Sequence, residues 1–373
     1  MTNELNIDIQ EQEEKKEYAA ENFNNYTLDH YLAGLSKDEL KNICRNLSIK
    51  GFSSKNKEDL IQLITTSYFS DFTILQSMLK SYDSGYKVVL DKLSEQEENY
   101  MVFHYDVPDD VFLFYAQDTE LLFIPKDVKT HFLAYKKEHP EFKADIDNIH
   151  FYRSALNLYG FVSLKHLQTL KEKYYSVKPS EEEIREEIIA LMPEYEPMIS
   201  GSSIKHIELA PVQLNLQALT EDKTYYIPSF DEFIAYTERF YIERTPEVQA
   251  LEAYLADHII EDFKDTDTSR LIVNTILFGL RANETPDQIL LHIDNVEANG
   301  FMQFNTRDEL TVLIREALNT TRLWTLHGFK KTETNSTAKK VKKKHVQVKR
   351  KTKKRGKNRN IAHVAKLKAQ EKR

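Results

Sequence analysis

Glycine and proline are scarce in this chain, and their scarcity most constrains how it can fold. Only 9 of the 373 residues are glycine and 10 are proline. β-Sandwiches and β-barrels spend these two residues on their many tight turns, so the low counts argue against both architectures. The same shortage disfavours a loop that would cradle a phosphate, and neither GxGxxG nor GxxxxGK(S/T) occurs in the chain.

Helix start signals recur along the chain. The pattern Ser/Thr-x-x-Glu is typical of a capping box and occurs at Ser36/Glu39, Ser180/Glu183, Ser229/Glu232 and Thr306/Glu309. A cap before a proline suited to the first helical turn occurs at Thr245-Pro246 and Thr285-Pro286. Within residues 35–64 the spacing predicts two short helices joined by an extended loop, the second capped by Ser53 or Ser54.

Apolar spacing predicts the other elements. Helices are expected over residues 69–82, 85–100, 126–139, 150–160, 163–175, 180–192 and 229–241, and throughout 245–328. Strands are expected over 111–116 and 120–125, as a β-hairpin, and over 202–209 and 224–228. Ile124-Pro125 and Ile227-Pro228, 103 residues apart, suggest either a weak internal repeat of strand, proline and helix or chance similarity of strand-to-helix junctions.

These patterns predict a mainly α fold with small β-hairpins, divided into several domains. We expect a disordered acidic N-terminus over 1–25, a helix–extended loop–helix module over 26–68, winged-helix-like units over 69–140 and 141–243, a helical domain over 244–329, and a disordered Lys/Arg-rich tail over 330–373.

The net charge of −8 conceals two parts of opposite sign. Residues 330–373 carry 19 basic and two acidic side chains, a net charge of +17. The other 329 residues carry 32 basic and 57 acidic side chains, a net charge of −25. Because the tail combines strong self-repulsion with almost no apolar residues, we expect it to be an unfolded cationic arm.

Residues 35–64 resemble the helix–extended loop–helix module at the N-terminus of transcription termination factor Rho and in SAP-type DNA-binding domains. The resemblance rests on the L-S-x-x-E-L start, the Lys50-Gly51 loop and the K-x-E-D-L-I-x-x-I ending. It implies that basic groups near the loop and the second helix approach nucleic acid, here Arg45, Lys50, Lys55 and Lys57. The alternative is that the module only joins helices and that its lysines are solvated.

A second resemblance covers the rest of the body. The stretches Asn157–Ser163, Tyr226-Ile227-Pro228 and Asn319–Trp324 resemble landmarks of uncharacterised Gram-positive bacterial proteins, many of which carry a C-terminal SEC-C zinc motif made of cysteines. Residues 330–373 contain no cysteine, so a zinc site of that kind is not expected here. The basic tail occupies its place.

Few side chains form a pattern that predicts catalysis. The chain has no HExxH, HxH or GxSxG pattern, so neither a metal site nor a serine nucleophile is predicted, and we expect no enzyme and no cofactor. The single cysteine, Cys44, lies on an apolar helix face and is expected to be a packed structural thiol. Arg322 and Trp324 either form a recognition edge or, as we favour, pack onto the core, with Arg322 paired to an acidic residue.

The tail indicates the class of partner. Three roles are open: binding RNA or DNA by counterion release, folding back on the acidic body, or attraction to anionic lipid, which no acyl site or amphipathic anchor supports. We expect contacts from the module and from tail residues Lys342, Lys343, Lys344, Lys349, Arg350, Lys351, Lys353, Lys354, Arg355, Lys357 and Arg359.

Two functional hypotheses follow. The first is a non-enzymatic nucleic-acid-associated protein that binds phosphates, with RNA or ribosomal association favoured over duplex DNA. The second is a protein-interaction scaffold whose acidic body binds a protein partner while the tail acts as counter-charge. No apolar run long enough to cross a membrane and no signal-peptide pattern occurs, so a cytoplasmic location without membrane association is expected.

Overall fold

The computed structural model describes residues 23–102, 114–116, 121–264, 266–282 and 285–334. The fold is mainly helical, with 66% helix and only small sheets, which confirms the predicted mainly α class. The chain divides into two compact units, the first made of residues 1–152 and 179–199 and the second of residues 153–178 and 200–373.

In the first unit, helices precede and follow a small sheet along the chain. Its elements are α1 (Leu28–Gly34), α2 (Lys37–Asn46), α3 (Lys57–Ser70), α4 (Thr73–Ser81), α5 (Ser84–Glu95), β1 (Tyr100–Val102), β2 (Phe114–Ala116), β3 (Leu121–Phe123), α6 (Lys126–Glu138), most of α7 (Glu141–Tyr159), α9 (Glu181–Leu191) and a 3₁₀ turn (Pro193–Met198). The strand order is β1-β3-β2, and both pairings with β3 are antiparallel. The two strands predicted as a hairpin over 111–116 and 120–125 therefore pair antiparallel as β2 and β3, with β1 as a third strand, while residues 111–113 and 117–120 lie outside the described part of the chain.

The first described residues of this unit contact side chains from α6 and the sheet. Phe23 is buried and stacks on Phe123, with ring centroids 4.1 Å apart. The carboxylate of Asp127, on α6, accepts the backbone N–H of Leu28 at 2.9 Å and so satisfies the first turn of α1. Burial raises the pKa of Asp127, and these backbone hydrogen bonds partly offset that rise.

The second unit combines a small sheet with a helical segment. Its elements are the end of α7, β4 (Phe161–Ser163), α8 (Leu164–Tyr175), β6 (Ser203–Lys205), a 3₁₀ turn (Ile207–Leu209), α10 (Leu216–Thr220), α11 (Phe230–Ala235), α12 (Pro246–Asp257), a 3₁₀ turn (Glu261–Phe263), α13 (Asp267–Arg281), α14 (Pro286–Ala298), α15 (Asp308–Thr320) and a 3₁₀ turn (Trp324–Leu326). A further strand, β5 (Ile199–Ser200), lies where the chain passes between the units, and the sheet order is β4-β6-β5.

Helices α12 to α15 bury one apolar cluster. Its fully buried members include Leu251 and Leu255 on α12, Leu280 on α13, Ile293 on α14 and Ile314 on α15. Burying a side chain of this kind contributes about 1.5–3 kcal/mol relative to exposure. The prediction that residues 245–328 are helical is confirmed, with short 3₁₀ turns and loops between the helices.

Four of the predicted helix caps, which depend only on residues close in the chain, are confirmed. Ser36 and Ser180 form reciprocal capping boxes with Glu39 and Glu183. The threonines before Pro246 and Pro286 cap α12 and α14. Two other predicted caps are wrong. Asn56, rather than Ser53 or Ser54, caps α3, and Arg307 precedes α15 without a capping hydrogen bond, so Thr306/Glu309 forms no box.

Two predicted helices of the first unit end early. The helix predicted over 69–82 is interrupted because the Asp71 carboxylate accepts the N–H of Thr73 at 2.8 Å and starts a new helix there. The helix predicted over 85–100 ends at Glu95, and the chain turns into β1. Lys129 stabilises this turn, since its Nζ donates to the carbonyl oxygens of Gln96 at 2.7 Å and Glu98 at 3.1 Å.

Several predictions in the second unit are wrong. The strand predicted over 202–209 stops at Lys205 and continues as a 3₁₀ turn. The helix predicted over 150–160 is confirmed, as the last part of the longer α7. No regular strand forms over 224–228 in the described chain, where the N–H of Tyr226 donates to the carbonyl of His327 at 3.0 Å. The helix predicted over 229–241 ends at Ala235. Ile227 is 38% exposed whereas Ile124 is fully buried, so the strand–proline–helix repeat is not reproduced.

Candidate nucleic-acid interface

The module predicted over residues 26–68 folds as helices joined by an extended loop. Helices α2 and α3 pack on one another, and their inner faces bury Leu40, Cys44, Leu60 and Ile64 completely. Cys44 is therefore the packed thiol that was predicted, and burial raises its pKa away from a reactive thiolate. The packing of these helices fixes both ends of the loop over residues 47–56.

Backbone geometry gives the loop a defined shape. The N–H of Ile49 donates to the carbonyl of Cys44 at 2.8 Å, and the Ile49 side chain is 8% exposed. Ser48 has φ of 57°, and Gly51 has φ of 80°, a region that glycine adopts without steric cost. Because Ile49 is buried beneath the loop, Lys50 and Gly51 lie exposed at its outer edge.

Three predicted contact residues lie on or beside this loop. The Arg45 guanidinium carbon lies 5.6 Å from the centroid of the Phe52 ring, a cation–π distance. The backbone N–H of Lys55 donates to the carbonyl of Phe52 at 3.2 Å, so Lys55 follows directly on the same turn. Arg45 and Lys50 are exposed and Lys55 is half-buried. We call Arg45, Lys50, Phe52 and Lys55 the loop cluster.

Lys57 has different surroundings from the loop cluster. It opens α3, and Glu58 and Asp59 follow it in the first helical turn. Two hydrogen bonds from Ser36 lower the pKa of Glu39, and attraction to Lys57 lowers it further, so this lysine faces a carboxylate. Asn56 already accepts the N–H of Asp59 at 2.8 Å. The N-terminus of α3 is therefore occupied by a cap and acidic side chains, which disfavours a phosphate there.

Phe52 is the member of the loop cluster that sequence reasoning missed. The predicted contacts were all basic, whereas the structure places this half-buried ring under the Arg45 side chain. The available signal was an aromatic residue directly after Lys50-Gly51 in a predicted loop. The tail residues Lys342 to Arg359 that were also predicted to contact nucleic acid lie outside the described residues.

Helix α9 in the first unit is acidic over its exposed surface. Glu182, Glu183 and Glu186 are exposed, and Arg185 is its only basic residue. Ile184 and Ile188 are fully buried and fix the opposite face. Three glutamates in the first turn suit the positive end of the helix dipole but repel a phosphate backbone.

Arg322 in the second unit is buried among three carboxylates, as the packing interpretation predicted. It is 6% exposed, and its guanidinium contacts Glu232 at 3.0 Å, Glu243 at 3.2 Å and Glu333 at 3.3 Å. The guanidinium carbon also lies 3.4 Å from the centroid of the Tyr226 ring. Burial alone would lower the pKa of Arg322, but the attraction of Glu243 and the other groups around it raises that pKa. Glu232 is used here instead of completing the predicted capping box with Ser229.

Trp324 is likewise buried, at 1% exposure. Its indole Nε1–H donates to the carbonyl of Asn157 at 3.0 Å, and its ring packs edge-on to Phe278 with centroids 5.4 Å apart. The side chain of Arg281 lies beside it and donates to the carbonyl of Tyr241 at 2.8 Å. The structure therefore places Trp324 in the core rather than on a recognition edge.

Within the described residues, no group of three or more His, Cys, Asp or Glu side chains could hold a metal ion. Among the same residues, no helix combines the length and apolar character needed to span a bilayer. Comparisons with models of known protein families, with curated proteins and with solved structures found no significant match.

Proposed function

We propose that this protein is a non-enzymatic, nucleic-acid-associated protein that binds single-stranded RNA through the loop cluster and the basic tail. The observation that carries the proposal is the placement of Arg45, at the end of α2, beside Phe52 and Lys55 on the ordered loop that follows. We further propose that the module is related to those of Rho and the SAP domains, that the protein acts in the cytoplasm, and that its body is related to SEC-C-containing proteins.

The chemistry of the loop cluster favours single strands over duplex. Lysine and arginine side chains bind phosphate oxygens without reading sequence. An aromatic ring beside them offers a surface on which an unpaired base can stack, worth about 1–3 kcal/mol per base. Bases in a duplex are already stacked and cannot use Phe52 in this way. The pairing of Phe52 with Arg45 thus supports RNA loops or unpaired ends as the ligand.

Direct binding measurements test the proposal. Fluorescently labelled single-stranded RNA and duplex DNA are titrated with the full-length chain over a range of salt concentrations. Replacing Arg45, Lys50 and Lys55 by glutamine removes three phosphate contacts, so the log–log salt slope for single-stranded RNA is expected to fall by about 2. The matched control replaces the exposed residues Arg315, Lys137 and Lys143 by glutamine, which changes the net charge equally and should leave the slope unchanged.

Two further variants separate the contributions. Phe52→Leu is expected to weaken single-stranded RNA binding about tenfold while leaving duplex binding unchanged, because only the stacking surface is lost. A chain ending at residue 334 lacks the basic tail but keeps Glu333 beside Arg322, so its loss of RNA binding measures the contribution of the tail. If neither nucleic acid binds the full-length chain with a Kd below about 10 μM at moderate salt, the proposal fails.

We also propose that residues 69–140 and 141–243 contain winged-helix-like units. The support is the strand order, in which the third strand lies between the first two in both sheets. In residues 141–205 the chain order is helix, strand, helix, helix, strand, strand. The last helix of this segment, α9, is acidic and belongs to the first compact unit, whereas α8, β4 and β6 belong to the second. Nucleic-acid contact by this unit is therefore not part of the proposal.

A second candidate function is a scaffold that binds a basic protein partner. The exposed glutamates of α9 support it, since they form a mainly acidic helix surface, with Arg185 as the one basic side chain, on a body with a net charge of −25. The test is a pulldown with the chain ending at residue 334, followed by mass spectrometry of bound proteins. Glu182→Gln with Glu186→Gln should release a genuine partner while leaving the Ser180/Glu183 box intact. Equal capture by both forms would argue against this surface.

A further inference from the structure

The first unit contains a cavity of about 330 Å³ that the proposed RNA contact does not use. Its apolar wall includes Leu79, Phe142, Ile146 and Leu191, each of which is at least nine-tenths buried. Lys87 and Asp145 also line the cavity. A volume of this size is at the lower end of the range of small-molecule sites, which begins at about 300 Å³.

Lys87 is a buried cation with little direct compensation. It is 6% exposed, and its Nζ donates to the carbonyl of Leu191 at 3.0 Å. The carboxylate of the nearby Glu194 is hydrogen-bonded to a different residue, because it accepts the backbone N–H and the hydroxyl of Ser84. Burial lowers the pKa of Lys87, and attraction to Glu194 and Asp145 only partly offsets that. An ammonium group has three donors, so Lys87 retains capacity for a ligand oxygen.

Asp145 supplies the opposite charge on the same cavity. Burial raises its pKa, attraction to Lys87 opposes the rise, and the carboxylate of Glu141 adds to it. In the described part of the chain, no hydrogen bond or ion pair joins Asp145 to Lys87, although both line the cavity. The cavity therefore presents a cation and an anion, each with unused bonding capacity, above an apolar wall.

We infer that this cavity binds a free α-amino acid with an apolar side chain. The ligand carboxylate would pair with Lys87, its ammonium group with Asp145, and its side chain would contact Leu79, Phe142, Ile146 and Leu191. A dipolar ligand supplies an ionic partner both to the buried Lys87 and to the half-buried Asp145. A singly charged ligand would pair with one of the two and leave the other without an ionic partner in the cavity, which is costly.

The charges at the cavity rim favour the same class of ligand. Lys80 and Glu141 also line the cavity, so the Lys, Asp and Glu side chains of the lining carry no net charge, and Glu141 contacts His139 in the same lining at 2.8 Å. A balanced site does not concentrate simple anions or cations, whereas it suits a ligand that carries one charge of each sign. The inference goes beyond the proposed RNA binding and does not depend on it.

Isothermal titration calorimetry on the full-length chain tests the inference. The ligands are the twenty protein amino acids, together with N-acetyl-L-leucine, which lacks the ammonium group, and L-leucinamide, which lacks the carboxylate. We expect saturable binding of at least one of leucine, isoleucine, methionine and phenylalanine with a Kd below about 1 mM. Both leucine derivatives should bind at least about tenfold more weakly than leucine.

Paired variants assign the contacts. Lys87→Met and Asp145→Asn should each weaken amino-acid binding about tenfold or more. Their controls are Lys92→Met, an exposed lysine on the same helix, and Asp147→Asn, which pairs with Lys143 on the surface of α7, and both should bind as the natural chain does. A melting curve for each variant shows whether it is folded.

Three results would overturn the inference. One is that no amino acid binds the natural chain below about 1 mM. Another is that Lys87→Met and Asp145→Asn fold and bind as tightly as their controls. The third, which needs no variant, is that N-acetyl-L-leucine and L-leucinamide bind as tightly as leucine, because then the two charges of the ligand are not recognised. None of these results bears on RNA binding by the loop cluster.

Discussion

Replacing Gly160 by alanine should destabilise the second unit strongly. Gly160 follows α7 with φ of 68°, and its N–H donates to the carbonyl of Leu156 at 2.8 Å. A Cβ at this position would lie 2.2 Å from Trp324 Cδ2 and 2.3 Å from Trp324 Cγ, far inside van der Waals contact. Trp324 is 1% exposed and hydrogen-bonded to Asn157, so the indole has little freedom to move away.

The expected loss of unfolding free energy in Gly160→Ala has two parts. An alanine with positive φ costs roughly 1–2 kcal/mol, and overpacking a buried side chain costs roughly a further 1–3 kcal/mol. Gly300→Ala is the matched control, because Gly300 lies in the same unit with φ of 80° and a Cβ there would meet no atom within 4 Å. The control should lose only the free energy that an alanine with positive φ costs. The difference between the two variants measures the contact with Trp324.

The assay is urea unfolding followed by tryptophan fluorescence. Trp324 is the only tryptophan in the chain, so its emission reports the environment that the substitution perturbs. Gly160→Ala should lower the urea midpoint by about 1 M more than Gly300→Ala, taking an m-value of about 2 kcal/mol/M. If the two variants differ by less than about 0.5 kcal/mol, the close packing of Trp324 against Gly160 is wrong.

Three other predictions concern buried charges and polar groups. Arg322→Gln should lower the free energy of unfolding by about 3 kcal/mol because it removes the buried cation that Glu232, Glu243 and Glu333 share, whereas Arg244→Gln, which breaks an exposed pair, should cost less than about 1 kcal/mol by urea unfolding. Burial lowers the pKa of His166 to about 3, below its unfolded value, so its contribution to stability is complete above about pH 6.5 and falls by about 1.4 kcal/mol per pH unit down to pH 3. His166→Phe should reduce the slope of unfolding free energy against pH by that amount, and an unchanged slope would contradict the assignment. Lys129→Met should accelerate hydrogen exchange over residues 96–100, which its ammonium group now fixes, and unaltered exchange there would show that the turn does not need Lys129.

Sequence reasoning succeeded where the determining contacts are local. The box formed by Ser36 and Glu39 needs only atoms three residues apart, and the periodicity of the helices from residue 245 onward needs only one apolar face. It failed at Glu232, which has the same spacing from Ser229 but turns to Tyr226 and Arg322 instead. Nothing within a few residues of Ser229 reveals that an arginine 90 positions further along the chain competes for this carboxylate.

The candidate interface and the cavity also differ in how far the sequence could predict them. The basic residues of the loop cluster and the buried Cys44 could be predicted because helix spacing and loop position follow from short patterns. The cavity between Lys87 and Asp145 could not be predicted, since these residues are brought together by helices that are far apart in the chain. Lys57 lies between these two cases. Its position at the start of α3 could be predicted, but its approach to Glu39 could not, because Glu39 lies on the other helix of the same module.

The position of Trp324 has a consequence for how the protein is made. The indole that donates to Asn157 and covers Gly160 is 167 residues away from Asn157 in the chain. At about 5–20 residues per second, a ribosome needs roughly 8–30 s to pass from one partner to the other. During that interval the end of α7 exposes the apolar surface that Trp324 will cover. The core of the second unit around Asn157 and Gly160 is therefore completed only after residue 324 has left the ribosome.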